Sequence, residues 1–259
     1  MILSRRVALN GQYLDELHGS IVISGIEFNA PSENIQTINK INGTGLRVVS
    51  QRYESLEVAV RWAMNIRKTD LFTRRRIYEE VCRWAMQTGW LTVNYAPGRR
   101  MYVDKTVISA PGDIRNWTDD YTITFRAYSV PFWQDEIPAE VSKTSFSGGN
   151  FSIYVPGAFR TVADVEFTNT SGSTLDTFSI GVGGNTISLT SLGIANNGKL
   201  TITHGTDGLL KILAGSTSAY SKRSAGSAGD LYCEPGTASV SVTTQRSGNL
   251  KVSVCGRYI

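Results

Sequence analysis

The stretch LEVAVRWAMNI, Leu56–Ile66, decides the fold class. Leu56, Val58, Val60, Trp62, Met64 and Ile66 place an apolar side chain at every second position, with Glu57, Ala59, Arg61, Ala63 and Asn65 between them. Successive side chains of an extended chain point to opposite faces. Strict alternation therefore describes a long strand with one buried and one wetter face.

Working outward, Ser20–Phe28 (SIVISGIEF) is short, apolar and β-branched, and Leu46–Gln51 (LRVVSQ) follows the turn Asn42-Gly43-Thr44-Gly45. Downstream, the spacing predicts a single helix over Leu71 to Thr88, with Asp70 as its N-cap. Ile77, Val81, Trp84 and Ala85 form its apolar stripe, and Gly89 is placed to end it in the left-handed conformation. Arg74, Arg75, Arg76 and Arg83, set among Glu79 and Glu80, read as a solvated face with local ion pairs. Trp90–Tyr95 and Met101–Ile108 follow as strands joined by the turn Ala96-Pro97-Gly98-Arg99-Arg100, and Tyr121–Val130 alternates again. Strands, one helix, then more strands indicate a mainly β fold: an N-terminal β-sandwich or partial barrel with one α-helix packed on a side.

At 259 residues the chain exceeds a single small module and needs neither disulfides nor metal to fold. Residues 1–141 carry 17 basic and 16 acidic side chains, whereas residues 142–259 carry only 9 and 6. A turn-rich segment at 133–147 separates these halves, so the expected domains are 1–141 and 142–259. The second half is rich in Ser, Thr and Gly and reads as many short strands, an all-β sandwich or barrel. Net charge of +4 is too small and too dispersed for a dedicated nucleic-acid binder. Cys82, Cys233 and Cys255 are an odd, sparse set that reads as free thiols, although Cys233 and Cys255 can pair if their strands are neighbours. The N-terminus lacks the apolar core of a secretion signal, and no apolar run approaches the roughly 18–20 residues of a membrane helix. A soluble protein made in a reducing cytoplasm is expected.

Catalytic signatures are sparse. The histidines are His18 and His204; His204 lies near Asp207 in THGTD, a pair that a loop explains better than a triad does. No His cluster or CxxC offers metal-ligand spacing, and neither Asn197-Gly198-Lys199 nor Gly181-Val182-Gly183-Gly184 completes a phosphate or dinucleotide loop. Asp119-Asp120 and Asp135-Glu136 are chain neighbours in turns, a poor geometry for acid/base work on one substrate. No cofactor, metal or reaction is implied. All five tryptophans precede residue 134, so a sugar-binding role for the second domain would fall to Tyr154, Tyr220, Tyr232 or Tyr258.

A strand-built protein with little chemistry has sheet edges to cover. Closing several copies into a ring, with strands pairing across subunits, is one solution. The odd positions Glu57, Arg61, Asn65 and Arg67 of the long strand are then candidates for a lumen or subunit-interface face.

The order of segments resembles the siphophage distal tail protein (Dit) family, the hub of a tail tip or baseplate. The likeness runs through Leu9-Asn10-Gly11, SIVISGI (Ser20–Ile26), RYESLEVAVRWAM (Arg52–Met64), the helix, GWLTVNYAPGRRMYV (Gly89–Val103) and YTITFRAYSVPFW (Tyr121–Trp133). It closes with LYCEPGTASVSV (Leu231–Val242) and VSVCGRYI (Val252–Ile259); Leu231-Tyr232 stands where relatives often have tryptophan. The resemblance implies a tail-tube-like first domain that assembles into a homohexamer, as one or two stacked rings, and a galectin-like β-sandwich projecting outward. An arm within Asn29–Thr44 would brace the next subunit. Implied partners are the tail tube protein, a tail-associated protein at the tip and receptor-binding proteins, with DNA passing through the lumen and no membrane insertion. The implied location is the virion tail tip, after synthesis in the host bacterial cytoplasm. It implies no enzyme. The alternative is a carbohydrate-binding adhesin module that reads cell-wall glycans; a tail-linked hydrolase ranks last, for want of an acid/base constellation.

Overall fold

The computed structural model describes residues 5–39, 46–66, 70–109 and 121–259. It divides into two compact units, Met1–Trp133 with Ile259, and Gln134–Tyr258. Both are built mainly from strands, as the sequence predicts, and among the described residues the sheets form no closed barrel.

In the first unit the chain runs β1 (Val7–Leu9), β2 (Gln12–Tyr13), the short helix α1 (Leu14–Leu17), β3 (Ile21–Phe28), β4 (Ser32–Asn39) and β5 (Leu46–Met64). It continues through helix α2 (Leu71–Ala85), β6 (Gly89–Val93), β7 (Arg99–Val103), β8 (Lys105–Ser109) and β9 (Tyr121–Ala127). One sheet carries the order β2-β1-β6-β7 and the other β3-β5-β9-β8, with β4 paired to β5 alone. Asn10-Gly11 makes the two-residue turn between β1 and β2, with φ of 53° and 81°. Both values lie in the left-handed region that asparagine and glycine tolerate best.

Helix α2 covers the inner face of the second sheet. Asp70 caps it, accepting from the Thr73 amide at 3.0 Å. Ile77, Val81, Trp84 and Ala85 are buried as predicted. Trp84 meets Phe125 edge-on at 5.9 Å and donates its indole N–H to the Gln12 carbonyl at 3.1 Å. Trp62 stacks on Tyr121 at 4.5 Å beneath the helix. Two expectations change here. The helix ends at Ala85 with Met86 as its cap, so Gly89 does not stop it but opens β6. Arg74 is not on the solvated face: it lies one turn before Ile77 on the apolar stripe, is buried, and donates to the Ile66 carbonyl at 2.6 Å.

The short strand β10 (Trp133–Asp135) spans the division. The second unit then contains β11 (Ala139–Phe146), β12 (Gly149–Val155), β13 (Thr161–Asn169), β14 (Phe178–Val182), β15 (Asn185–Leu189), β16 (Lys199–His204) and β17 (Leu210–Ala214). After β18 (Thr217–Ser218) and a 3₁₀ turn at Tyr220–Lys222 come β19 (Tyr232–Cys233), β20 (Gly236–Thr244), β21 (Gly248–Val254) and β22 (Arg257–Tyr258). Two sheets, ordered β11-β21-β13-β16-β17-β18 and β12-β20-β14-β15, enclose one core. Val165, Phe167, Ile202 and Val252 from one sheet pack with Ile153, Ile180, Val240 and Ile187 from the other, making a sandwich. The segment 133–147, read from composition as a boundary, contains β11; positions 141 and 142 pair with Val252 and Lys251 inside it. An outermost strand faces water on most sides, so its polar sequence AEVSKTSF resembles a linker.

The three cysteines are free thiols. Thr161 of β13 pairs with Cys233 on one side and donates its hydroxyl to the Cys255 carbonyl at 2.7 Å on the other. β13 thus separates the two cysteines. Among the described residues no helix is long and apolar enough to cross a membrane.

Candidate assembly surface

The sheet β3-β5-β9-β8 is covered on one face only. Alternation along β5 and β9 sends Leu56, Val58, Val60, Trp62, Tyr121, Ile123 and Phe125 into the core. The same pleat turns Glu57, Ala59, Arg61 and Ala63 outward, in register with Arg126, Thr124 and Thr122 of β9. Glu57 and Arg126, directly opposed, form an ion pair at 2.9 Å. Arg61 pairs diagonally with Glu27 of β3. Asn65 is exposed just past β5, its amide bonded to the Ser20 carbonyl at 2.8 Å. The structure therefore places Glu57, Arg61 and Asn65 along one surface, while Arg67 lies outside the described residues. Two opposed pairs neutralise Glu57, Arg126, Arg61 and Glu27, and Lys105 of β8, exposed opposite Arg126, leaves the face one positive charge in excess.

The sequence reading missed how far β5 extends. Its first half leaves the sheet and pairs only with β4, from Ser32 opposite Ser55 to Asn39 opposite Leu46. This ribbon is an arm. The expected arm, Asn29–Thr44, overlaps β4, and its residues 40–44 lie outside the described ones, as does the turn Asn42–Gly45. Glu54 and Val49 are unpaired extra residues on β5, two bulges that add twist. Ile35, Val48 and Val49 are 51%, 55% and 57% exposed. A lone two-stranded ribbon is marginal in water. Exposed β-branched side chains on it mark a surface that gains by being covered.

The second unit holds a cluster that the sequence did not reveal. His204 is hydrogen-bonded at both ring nitrogens, Nδ1 to Asp164 and Nε2 to Asp230, each at 2.7 Å, and its side chain is only 7% exposed. Burial works against the imidazolium, but the hydrogen bonds to the two carboxylates outweigh it and hold the pKa up at about 9. The cluster sits where β16 and β19 part company along β13: Asp164 also accepts the His204 amide at 3.0 Å. This is a clamp closing a fork between strands. Asp207, the partner suggested by THGTD, instead accepts the Leu209 amide at 3.1 Å and shapes its own turn. Among the described residues no group of His, Cys, Asp and Glu is arranged to hold a metal ion. Asp119 and Asp120 lie outside the described residues, whereas Asp135 accepts the Gly256 amide at 2.9 Å, a structural bond.

The tyrosines considered as sugar platforms are spread over separate elements. Arg160 covers the Tyr232 ring at 4.1 Å and Arg223 sits over Tyr220 at 5.0 Å. The Tyr258 hydroxyl meets Asp135 at 3.4 Å, and Tyr154 projects from β12.

By sequence, no family model and no curated protein matches the chain. By structure, the matches include two that run along almost the whole length of both chains. The Dit protein of phage SPP1, a hub of the adsorption apparatus in phages infecting Gram-positive bacteria, superposes with a TM-score of 0.69 at 10% identity, over 97% of this chain and 98% of that one. A chain of the phage P2 baseplate, in its activated conformation with calcium, gives a TM-score of 0.54 at 8% identity, over 98% of both chains. The chain has the fold of these tail hub and baseplate proteins, in agreement with the resemblance carried by its segments.

Proposed function

We propose that this protein is a structural hub of a siphophage tail tip, a subunit of a homohexameric ring joining the tail tube to the parts that meet the host. The observation that carries this reading is the open sheet with its arm. β3 and β8 end the sheet, and among the described residues no further strand pairs with their outer edges. Pairing β8 of one copy with β3 of the next is a head-to-tail contact, which closes into a ring when the rotation per subunit divides a full turn. Full closure removes both edges. The arm then has its cover, a neighbouring copy against which Ile35, Val48 and Val49 lie.

Glu57, Arg61, Asn65 and Arg67 in this reading line the lumen or the adjoining subunit boundary. With Glu57 paired to Arg126 and Arg61 to Glu27, Lys105 opposite Arg126 is the one excess cation of the described face, too little to hold passing DNA. The first unit is the tail-tube-like ring former, and the second is the galectin-like module facing outward toward tail-associated and receptor-binding proteins. The fold shared with the SPP1 and P2 proteins supports this division of labour. The role is geometric, and it needs no cofactor or catalytic group.

Light scattering on size-exclusion fractions, with negative-stain micrographs, tests the reading. Six-fold rings, alone or on tail tube protein, are expected. A monomer at every concentration that also fails to assemble with tube protein overturns it.

A further inference from the structure

The sandwich of the second unit is closed on one side and open on the other. At the β15 side a strap covers the edge: the Ser224 amide donates to the Ser188 carbonyl at 2.9 Å and the Ala228 amide to the Thr186 carbonyl at 2.7 Å. The opposite side is formed by β11 and β12, the end strands of the two sheets. β11 is a guarded edge, with an irregularity between Lys143 and Phe146, a left-handed residue at Ser145, and charges at Glu140 and Lys143. Devices of this kind discourage pairing with another chain.

β12 carries fewer of them: only its first residue, Gly149, has a positive φ, at 133°. Its sequence GNFSIYV has no charge and no proline, and all seven residues pair with β20 without a slip, Gly149 opposite Val242 through to Val155 opposite Gly236. Among the described residues no strand pairs with its other edge. Asn150, Ser152 and Tyr154 face outward, Tyr154 at 66% exposed, and Phe151, Ile153 and Val155 face the core side. Phe151 is only partly buried and lies edge-on to Phe146 at 5.9 Å, with the Lys143 ammonium over its ring at 5.6 Å, so an aromatic pair shows at the open side next to one charge.

We infer that this edge joins to the same edge of a second copy, β12 against β12, antiparallel about a two-fold axis through Ser152. A second copy is chosen because β12 is uncharged and so does not repel itself. In that register Ser152 meets Ser152, Asn150 meets Tyr154, and Phe151 meets Ile153. Every outward residue meets an outward one, so the pleats of both sandwiches continue without the one-residue slip that would turn core side chains to water. An aromatic ring beside a β-branched residue is a favourable cross-strand pair, and no like charges are opposed. The two four-stranded sheets become one sheet of eight. The contact is isologous and lies in the second unit, so it does not depend on the ring proposed for the first. In a ring-forming hub it would link copies of different rings.

Cysteine cross-linking of the full chain tests this. In the proposed register the two Ser152 Cα atoms are about 4.5–5.5 Å apart, within the roughly 4.4–6.8 Å span of a disulfide. Ser239 faces outward directly opposite Ser152 but one strand further in. Two Ser239 residues would be separated by three strand spacings, about 14 Å, too far to bridge. Under mild oxidation Ser152→Cys is expected to give covalent dimers in which the linking peptide joins the two introduced thiols, with Ser239→Cys at the wild-type background. Ser152→Lys opposes two ammonium groups at the axis, and is expected to abolish a non-covalent dimer that Ser152→Thr retains in sedimentation. Dimer yield for Ser152→Cys no higher than for Ser239→Cys, or links from the introduced thiol only to the native cysteines, overturns the inference. Rings that form normally without this cross-link leave the ring standing and the edge pairing refuted.

Discussion

The side chain of Asn10 occupies the space that a β-carbon on Gly89 would need. A Cβ built there would lie 2.5 Å from the carboxamide carbon, and Gly89 holds φ at +148°. That closeness lets Asn10 accept the Trp90 amide at 3.0 Å and donate to the Thr88 carbonyl at 3.1 Å, fastening the β1–β2 turn to the start of β6. Gly89→Ala therefore introduces both a clash and a strained backbone, with an expected cost of about 2–4 kcal/mol. Asn10→Ala loses two hydrogen bonds, about 1–2 kcal/mol. The double variant should be less destabilised than the sum, because removing the carboxamide frees the space. All five tryptophans precede Gln134 and four of them lie before β10, so urea unfolding followed by tryptophan fluorescence reads mainly the first unit. Strict additivity would refute the coupling.

The clamp on His204 predicts a falling stability in alkali. The folded pKa of about 9 exceeds the ordinary value of 6.5, so the stabilisation is complete below pH 6.5 and disappears as pH rises through 9. The upper limit is about 3 kcal/mol. Calorimetry between pH 6 and 10 should show the second unit's transition temperature dropping across that window. His204→Gln should be less stable at pH 6 and nearly flat across it. A parallel slope in the variant would assign the effect to another group.

Charge on the arm should separate folding from assembly. Val48→Asp and Val49→Asp alter exposed positions outside the core, so unfolding of the first unit should shift by no more than about 0.5 kcal/mol. Ring formation should be lost, because each subunit boundary would then bury a carboxylate without a partner. Light scattering at matched concentrations provides the check. Intact rings in both variants would show that the arm is not held at the boundary.

Reducing agent should leave the stability unchanged. With β13 between them, Cys233 and Cys255 have no bridge to lose. Thiol titration in denaturant should find three groups per chain. In the folded protein Cys233 should react slowest, since burial raises its pKa to about 11 and leaves little thiolate. A titre of one thiol in denaturant would contradict this arrangement.

What the sequence disclosed depended on how local the signal was. Alternation through Leu56–Met64 and the stripe Ile77-Val81-Trp84-Ala85 are short-range patterns, and both faces were assigned correctly. Arg74 departs from the pattern because its charge suggests water, whereas its position on the stripe determines burial. β11 is illegible in the sequence for a related reason: an edge strand has little apolar patterning to show. The partners of His204 come from β13 and from the segment before β19, 40 and 26 residues away, a proximity that only the tertiary fold creates. Glu57, Arg61 and Asn65 were legible as one face, but alternation could not reveal that Arg126 and Glu27 neutralise two of them.

β5 runs from the arm to the middle of its sheet without a glycine or proline between Leu46 and Met64. A tug on the arm is thus delivered along the axis of a strand gripped on both sides by β3 and β9. The backbone bonds lie crosswise to that pull and must shear together instead of opening one after another. A flexible hinge at the root would let the arm peel away under modest force. Here, two bulges aside, the pairing passes from β4 at Ser55 to β9 at Leu56 with no unpaired gap, so a load on the ribbon reaches the sheet along one continuous strand.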